Sequence, residues 1–475
     1  MNRRLRAIHT SAHVLSPAAG KKPTPRYNFN TGLEWEHEAQ DTREESARFR
    51  RVTAREVKGR REEGRRVRML VRDWVDDSLY NQHYGYFSKQ ATIFSSSPTP
   101  TSPGIDIPHH PNLTSFQEAI AEAYERSYGA DEGAGDAVAL SGKGGKGGLG
   151  RQVWHTPTEL FRPHYSRIVA RALLSHYKLH HYPYTDLQIY EIGAGNGSLM
   201  VDIMTFLREE HPEVYERTRY EIIEISGPLA ERQRARAEEA GLEVELVAGK
   251  RREGRSGAQV RIQNVDFFEW QGSSRDACYF VALEVFDNFA HDMIRYDMDT
   301  LEPLQAVVSI DATGDYSLLY EPVTDPAIRR YLGYRRLIYT SLPFAPNLSA
   351  PEFIPTKQMM FLEKLRETLP FHRLLVSDFD ALPDAVPGRN GPVVQTRYNG
   401  EMVPCETFLV KPGYFDIFFP TDLIGVRGFK HRHVGVYDHA EFLTHFGGDE
   451  ELAGTTTKDG DNVMLSMYKN VKFMF

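Results

Sequence analysis

The residues able to do chemistry gather around one stretch, Glu191-Ile192-Gly193-Ala194-Gly195-Asn196-Gly197-Ser198. Alternate glycines can turn through positive φ and let a ligand approach bare backbone. The helix-forming run behind them, 199–206, would offer unpaired N–H groups and a positive dipole end to a carboxylate or phosphate. A nucleotide-like ligand fits such a cradle. A dinucleotide loop, Gly-x-Gly-x-x-Gly, needs glycine where this chain has Ser198. In that loop Glu191 would face a pyrophosphate; it suits a ligand carrying an ammonium group instead. Glu224 closes the strand-like run 220–224, where a ribose with two free hydroxyls needs an acceptor. Asp266 follows another such run, where an adenine amino group can be read, with Phe267 or Phe268 beside the ring; Asp is also a common turn former there.

A second group lies further along. Glu284 and Asp287 follow the strand-like run 278–283 and could hold a planar cation bidentately and take up a proton. Glu159, in Thr156-Pro157-Thr158-Glu159, is a third candidate, though a carboxylate at a helix start also serves as a dipole partner. Asp287 reads equally as a turn or cap residue. His291 could accept a proton or simply pack.

The elements that must position these residues alternate. Strands are expected at 187–192, 219–225, 260–265, 278–283 and 373–378, and helices at 198–208, 227–240 and 357–368. Such alternation implies an α/β fold, a parallel sheet with helices on both faces. Its ligand lies at the carboxyl ends of the strands, near the first strand–helix loop. Residues 288–356 are too long for a connection and are expected to form a cap on the substrate side. A long helix is expected at 161–179, capped by Thr156 or Thr158 with Pro157 in its first turn. The tail, 405–475, alternates apolar and polar residues and reads as further strands.

Before the core, Met69, Leu70, Trp74, Val75 and Leu79 recur at helical spacing, and the aromatic run 79–88 reads as a hairpin. Residues 34–68 are dense in Arg and Glu and read as a solvated helical or disordered segment. Residues 95–150 read as a flexible insertion in which a helix can form at 116–128. The Gly-Lys-Gly-Gly-Lys-Gly-Gly run at 142–148 lacks the form of a phosphate loop. The first acidic residue is Glu34; the amphipathic, Arg-bearing start, 1–33, reads as a mitochondrial targeting segment, a disordered basic tail being the other reading.

With 475 residues, net charge -8 and pI near 6.2, the chain is long enough for a large core and has no global basic signature of nucleic-acid binding. Two cysteines, Cys278 and Cys405, make neither a metal pair nor a disulfide framework, which fits a reducing compartment. No apolar run reaches the roughly 18 residues of a membrane span.

Ammonium, ribose and adenine together describe S-adenosylmethionine, and the pattern resembles a class I (Rossmann-like) methyltransferase. Leu79-Tyr80 through Gly85-Tyr86-Phe87-Ser88 is similar to the "LY…GYYS" signature of the MidA-like family, which includes the mitochondrial complex I assembly-factor arginine methyltransferase. Thr156-Pro157-Thr158-Glu159 resembles its "TSPE" segment, Glu224-Ile225-Ser226-Gly227-Pro228-Leu229 with Gln233 its "EVSP-L…Q" stretch, and Glu284-Val285-Phe286-Asp287-Asn288-Phe289 its "EFFDVLP". The Gly-Asp before the second segment and the proline after the last are replaced here, by Trp154-His155 and Ala290.

The resemblance implies a catalytic domain over 151–475, with 288–356 its cap and 69–94 a family segment. It implies a type II protein arginine N-methyltransferase of the mitochondrial matrix, acting on a respiratory-chain subunit, with S-adenosyl-L-methionine held by Glu191, Gly193, Gly195, Gly197, Glu224 and Asp266. Glu284, Asp287 and Glu159 are the expected catalytic residues, and no metal or DNA is involved. A methyltransferase for a small molecule or RNA, or a non-catalytic assembly factor keeping the cofactor fold, are the competing readings.

Overall fold

A computed structural model describes residues 45–89, 91–93, 105–129, 152–154, 156–249, 257–297, 299–338, 350–383, 385–398, 401–423 and 434–475. The expected targeting segment, residues 34–44 and the 142–148 run lie outside them.

Strands with near-continuous apolar residues belong in a parallel sheet covered on both faces, and the core is built that way. Its eight strands run, from one edge, Val244–Ala248, Val260–Asn264, Thr218–Glu224, Leu187–Ile192, Cys278–Leu283, His372–Phe379, Val471–Met474 and Val436–Asp438. The first six are mutually parallel. Val471–Met474 pairs antiparallel with His372–Phe379, and Val436–Asp438 antiparallel with it in turn. Successive side chains go to opposite faces. Leu187, Ile189, Ile222, Ile262 and Val281 pack on the helices His164–His180 and Ser198–Glu210, whereas Tyr190, Ile223, Phe280 and Val376 pack on Phe361 and Leu365 of Thr356–Thr368. The expected strands and helices between 187 and 379 are therefore present, their ends shifted by a residue or two.

A second lobe covers the carboxyl ends of these strands. The expected cap contributes Asp292–Tyr296, Pro303–Ile310, Tyr316–Pro322 and Glu352–Ile354 to a six-stranded sheet. The N-terminal segment completes that sheet: Val67–Leu70 pairs antiparallel with Pro303–Ile310, and Arg50–Arg51 pairs parallel with Val67–Leu70. A smaller sheet, Glu401–Cys405, Val393–Tyr398 and Asp416–Phe418, stands beside it. The helix Val71–Tyr80 lies in the apolar cluster between them, burying Val71, Trp74, Val75 and Leu79. That spacing is one face of an amphipathic helix.

Four expectations are corrected. Residues 79–88 form no hairpin: the helix runs to Tyr80, a turn follows, and a short helix spans Tyr86–Lys89. The Asn81 side chain accepts the His83 N–H at 2.9 Å and the Asn81 carbonyl accepts the Gly85 N–H at 2.8 Å. A Cβ at Gly85 would lie 2.4 Å from the Asn81 backbone nitrogen, so the turn requires glycine there. The described part of 34–68 is not a solvated helix: Val52 and Val57 are buried, and Arg51 and Arg68 pair with Glu321 of the second lobe. The tail mixes its strands with helices at His439–Phe446, Asp449–Ala453 and Val463–Ser466, started by the Asp438–Glu441 capping box and by Asn462. The helix expected at 161–179 spans His164–His180, and a separate short helix, Pro157–Leu160, precedes it; Pro163 between them has no N–H to join the two ladders. Thr156 caps the first piece, accepting the Glu159 N–H at 3.2 Å.

Candidate functional site

Between the core strands' carboxyl ends and the second lobe lies a cavity of about 1150 Å³. Glu159, Glu191, Gly193, Gly195, Glu224, Asp266, Glu284 and Asp287 all line it. Gly197 stands just behind, as the left-handed N-cap of Ser198–Glu210.

The strand Leu187–Ile192 delivers the glycine loop to one end of the cavity. Gly193, Gly195 and Gly197 have φ of +67°, +54° and +79°, where a side chain is strained. A Cβ on Gly193 would also come within 2.8 Å of the Val285 side chain. The buried Glu191 carboxylate accepts the Tyr220 hydroxyl at 2.8 Å, and burial pushes its pKa up to about 8. Glu224 accepts the Ser226 N–H at 2.8 Å and the Gln233 amide at 2.9 Å; burial raises it to about 7. The same Gln233 amide donates to the Gly195 carbonyl at 2.9 Å, tying loop to neighbouring strand. Asp266 accepts the Phe268 N–H at 2.9 Å, and Lys58 of the N-terminal segment stands 3.4 Å from its other oxygen. Phe268 lines the cavity, while Phe267 is mostly enclosed among core rings.

Glu159 sits against the loop. It accepts hydrogen bonds from Asn196 at 3.0 Å and Ser198 at 2.5 Å, with Arg236 at 3.5 Å. Two consecutive turns of the glycine loop are thereby fastened to the segment 156–159.

A second group of carboxylates lines the cavity from the end of the neighbouring strand. Glu284 follows the strand Cys278–Leu283 with φ +54°, a left-handed conformation for a residue that is not glycine, costing about 1–3 kcal/mol. Its N–H is bound to the Ser377 carbonyl at 2.8 Å. The Glu284 carboxylate, half-buried, makes no hydrogen bond or ion pair among the described residues. Burial and the neighbouring Asp378 charge hold it well above the ordinary carboxylate range. Asp287 is buried, accepts from the Asn288 amide at 2.5 Å, and is raised by burial and by Asp378 and Asp416.

Sequence reasoning missed Asp378 and Asp416. Asp378 accepts the N–H groups of Val285, Phe286 and Asp287 at 3.2, 2.7 and 3.2 Å, so it folds the loop that presents Glu284 and Asp287. Its role depends on the pairing of His372–Phe379 with Cys278–Leu283, which no local pattern displays. His291 is not at the cavity. It is buried, bonded to the Phe289 carbonyl at 2.8 Å, stacked on Phe419 and pushed by burial down to about 3, which leaves it a packing residue.

Comparison with known proteins agrees with this architecture. A family model described as "Putative S-adenosyl-L-methionine-dependent methyltransferase" matches residues 168–437, more than half the chain. A Schizosaccharomyces pombe protein named protein arginine methyltransferase NDUFAF7 homolog, mitochondrial, is 25% identical over 262 residues, covering 50% of this chain. That match spans 52% of the fission-yeast protein's length. The Saccharomyces cerevisiae protein of the same name is 22% identical over 335 residues, covering 65% of this chain and 77% of that one. The crystal structure of a Burkholderia thailandensis protein bound to S-adenosyl-homocysteine aligns with a TM-score of 0.52 at 17% identity, over 86% of this chain and 87% of that one. At that identity the likeness shows the fold: a Rossmann-like α/β sheet.

Proposed function

The chain belongs to this family of S-adenosyl-L-methionine-dependent methyltransferases, and on that premise we propose that it is a mitochondrial protein arginine methyltransferase. The named yeast relatives support the arginine acceptor and the mitochondrial address. A respiratory complex I subunit, methylated in the matrix during assembly, is the substrate we infer from the family resemblance.

One observation carries the acceptor reading: a half-buried Glu284 carboxylate, without a hydrogen bond or ion pair among the described residues, held in a strained conformation and lining the cavity with Asp287 just beyond the strand next to the one that carries the glycine loop. A buried carboxylate without a partner is costly. An incoming guanidinium, planar, always protonated and rich in N–H donors, relieves that cost.

The cofactor end fits S-adenosyl-L-methionine. Gly193 and Gly195 line the cavity with positive φ, a backbone conformation that side-chain-bearing residues rarely adopt. Glu191 stands ready for an ammonium group. Glu224 keeps acceptor capacity for hydroxyls, since each carboxylate oxygen can take two hydrogen bonds. Asp266 lies where an amino group of the base can be held, beside Phe268. When bound, the cofactor supplies an electrophilic methyl group on a sulfonium.

The chain's own residues do the rest. Glu159 and Gln233 hold the loop. Asp378 sets the Glu284–Asp287 turn. Glu284 and Asp287 orient the guanidinium, an effect of proximity rather than covalent chemistry, and Glu284 takes the proton that the acceptor nitrogen sheds.

Mass spectrometry of mitochondrial proteins from cells with and without the gene tests the reading. At least one arginine methylation is expected to disappear with the gene; an unchanged set of methylarginines would end the arginine proposal.

A further inference from the structure

The cavity's second-lobe wall holds a carboxylate with no function so far. Asp416 opens the strand Asp416–Phe418 and faces Gln395 across the ladder. It is 1% exposed yet lines the cavity. Neither of its oxygens has a hydrogen-bond partner among the described residues. The Gln395 side chain and the Ile417 N–H stand near enough to favour its charged form, but outside hydrogen-bonding geometry. Burial therefore holds its carboxyl well above the ordinary range.

Asp416 belongs to the same floor as the acceptor carboxylates. The chain just beyond it is stitched to them, the Phe419 N–H donating to the Asp287 carbonyl at 2.8 Å. Asp416 is close enough to Asp287 for its charge to raise it. Four of the cations that line the cavity are paired with other acids: Arg72 with Asp292 and Asp325, Lys357 with Asp76, Lys58 with Asp266 and Arg55 with Glu269. A buried carboxylate with both oxygens open, in a cavity that already holds Glu284 and Asp287, calls for a cation from outside.

We propose that Asp416 is a third acceptor-binding residue, gripping the guanidinium from the second lobe while Glu284 and Asp287 grip it from the methyltransferase core. The proposal rests on the arginine reading above and extends it to specificity. A guanidinium spreads five N–H donors around a plane and can serve carboxylates on two walls at once, whereas an ammonium concentrates three donors at one point. Bound substrate then ties the two lobes together through its own charge.

The test uses the full chain loaded with S-adenosyl-homocysteine and titrated calorimetrically with N-acetyl-L-arginine methylamide. The lysine analogue serves as control. Asp416→Asn is expected to weaken arginine binding at least about tenfold and to leave S-adenosyl-homocysteine affinity unchanged. Its melting temperature should be equal to or above wild type, because a buried unpaired carboxylate has been removed. Asp416→Glu should recover part of the arginine affinity, and it carries the test if the Asn variant does not fold. Equal arginine affinity in wild type and both variants would overturn the proposal, as would equal binding of the lysine analogue. A structural Asp416 would instead lower the melting temperature without moving the arginine affinity. The two readings separate cleanly. Asp416-dependent arginine binding without methyl transfer would refute the methyltransferase assignment alone, and arginine methylation unaltered in Asp416→Asn would refute this one alone.

Discussion

Two neighbouring groups of carboxylates in the cavity, those we assign to the cofactor and those we assign to the acceptor, are handled in opposite ways. At the cofactor end every acid has a protein partner: Tyr220 for Glu191, Ser226 and Gln233 for Glu224, and Asn196 and Ser198 for Glu159. In the group assigned to the acceptor, Glu284 and Asp416 have no hydrogen-bond partner among the described residues, and like charges crowd Asp287. A finished network is rigid and specifies a cradle; an unfinished one waits for its missing member. On the proposed reading the cofactor enters a preformed site, and the acceptor site stays energetically incomplete until a cation arrives.

The largest effect should come from breaking the cradle. Gly195→Val puts a branched side chain at φ +54° beside the ligand, and S-adenosylmethionine affinity should fall by at least about 100-fold. Calorimetric affinity near wild type would mean the loop is not the cofactor site.

Breaking the other end should dissociate the two functions. Glu284→Gln keeps size and hydrogen bonding but loses the charge and the proton acceptor. Cofactor affinity should be unchanged, while kcat/KM for an arginine peptide falls at least about 100-fold. Unchanged turnover would show that Glu284 is misassigned.

The smallest effect is a pH slope. The folded-state pKa values of Asp378, Glu224 and Glu191 are raised to about 6, 7 and 8 from ordinary values near 4. Each group therefore keeps a proton in the folded chain that the unfolded chain has already lost. Stability is full below the ordinary value and declines as pH rises toward each raised one. Cofactor-free protein should melt progressively lower from pH 5.5 to 8.5, by roughly 2–4 °C for each kcal/mol lost. S-adenosylmethionine should flatten the slope by placing an ammonium near Glu191. A melting temperature that is level or rises over that range without cofactor would contradict the burial of these acids.

Legibility followed sequence distance. The strands at Leu187–Ile192 and Cys278–Leu283 were readable to the residue, because a buried parallel strand is an unbroken apolar run between turn signals. The tail was misread because alternation over a few residues fits a short strand and a short helix equally; the Asp438–Glu441 capping box decided for helix. The turn at 79–88 was misread as a hairpin because its aromatic residues mask an Asn81 turn that needs Gly85 for space. Glu159 carried a readable cap motif, yet nothing local said that its carboxylate would bind Asn196 and Ser198, 37 and 39 residues away.

By itself the sequence determined the glycine loop, the parallel core around it and the ligand type its carboxylates suit. These follow from backbone freedom, period-two burial and spacing within a few residues. Tertiary structure alone decided the acceptor end. Asp378 reaches the Glu284–Asp287 turn across a strand pairing, and Asp416 arrives from a separate sheet. Which distant carboxylates share one dry cavity is settled by how sheets pack, and packing leaves no local mark on the chain.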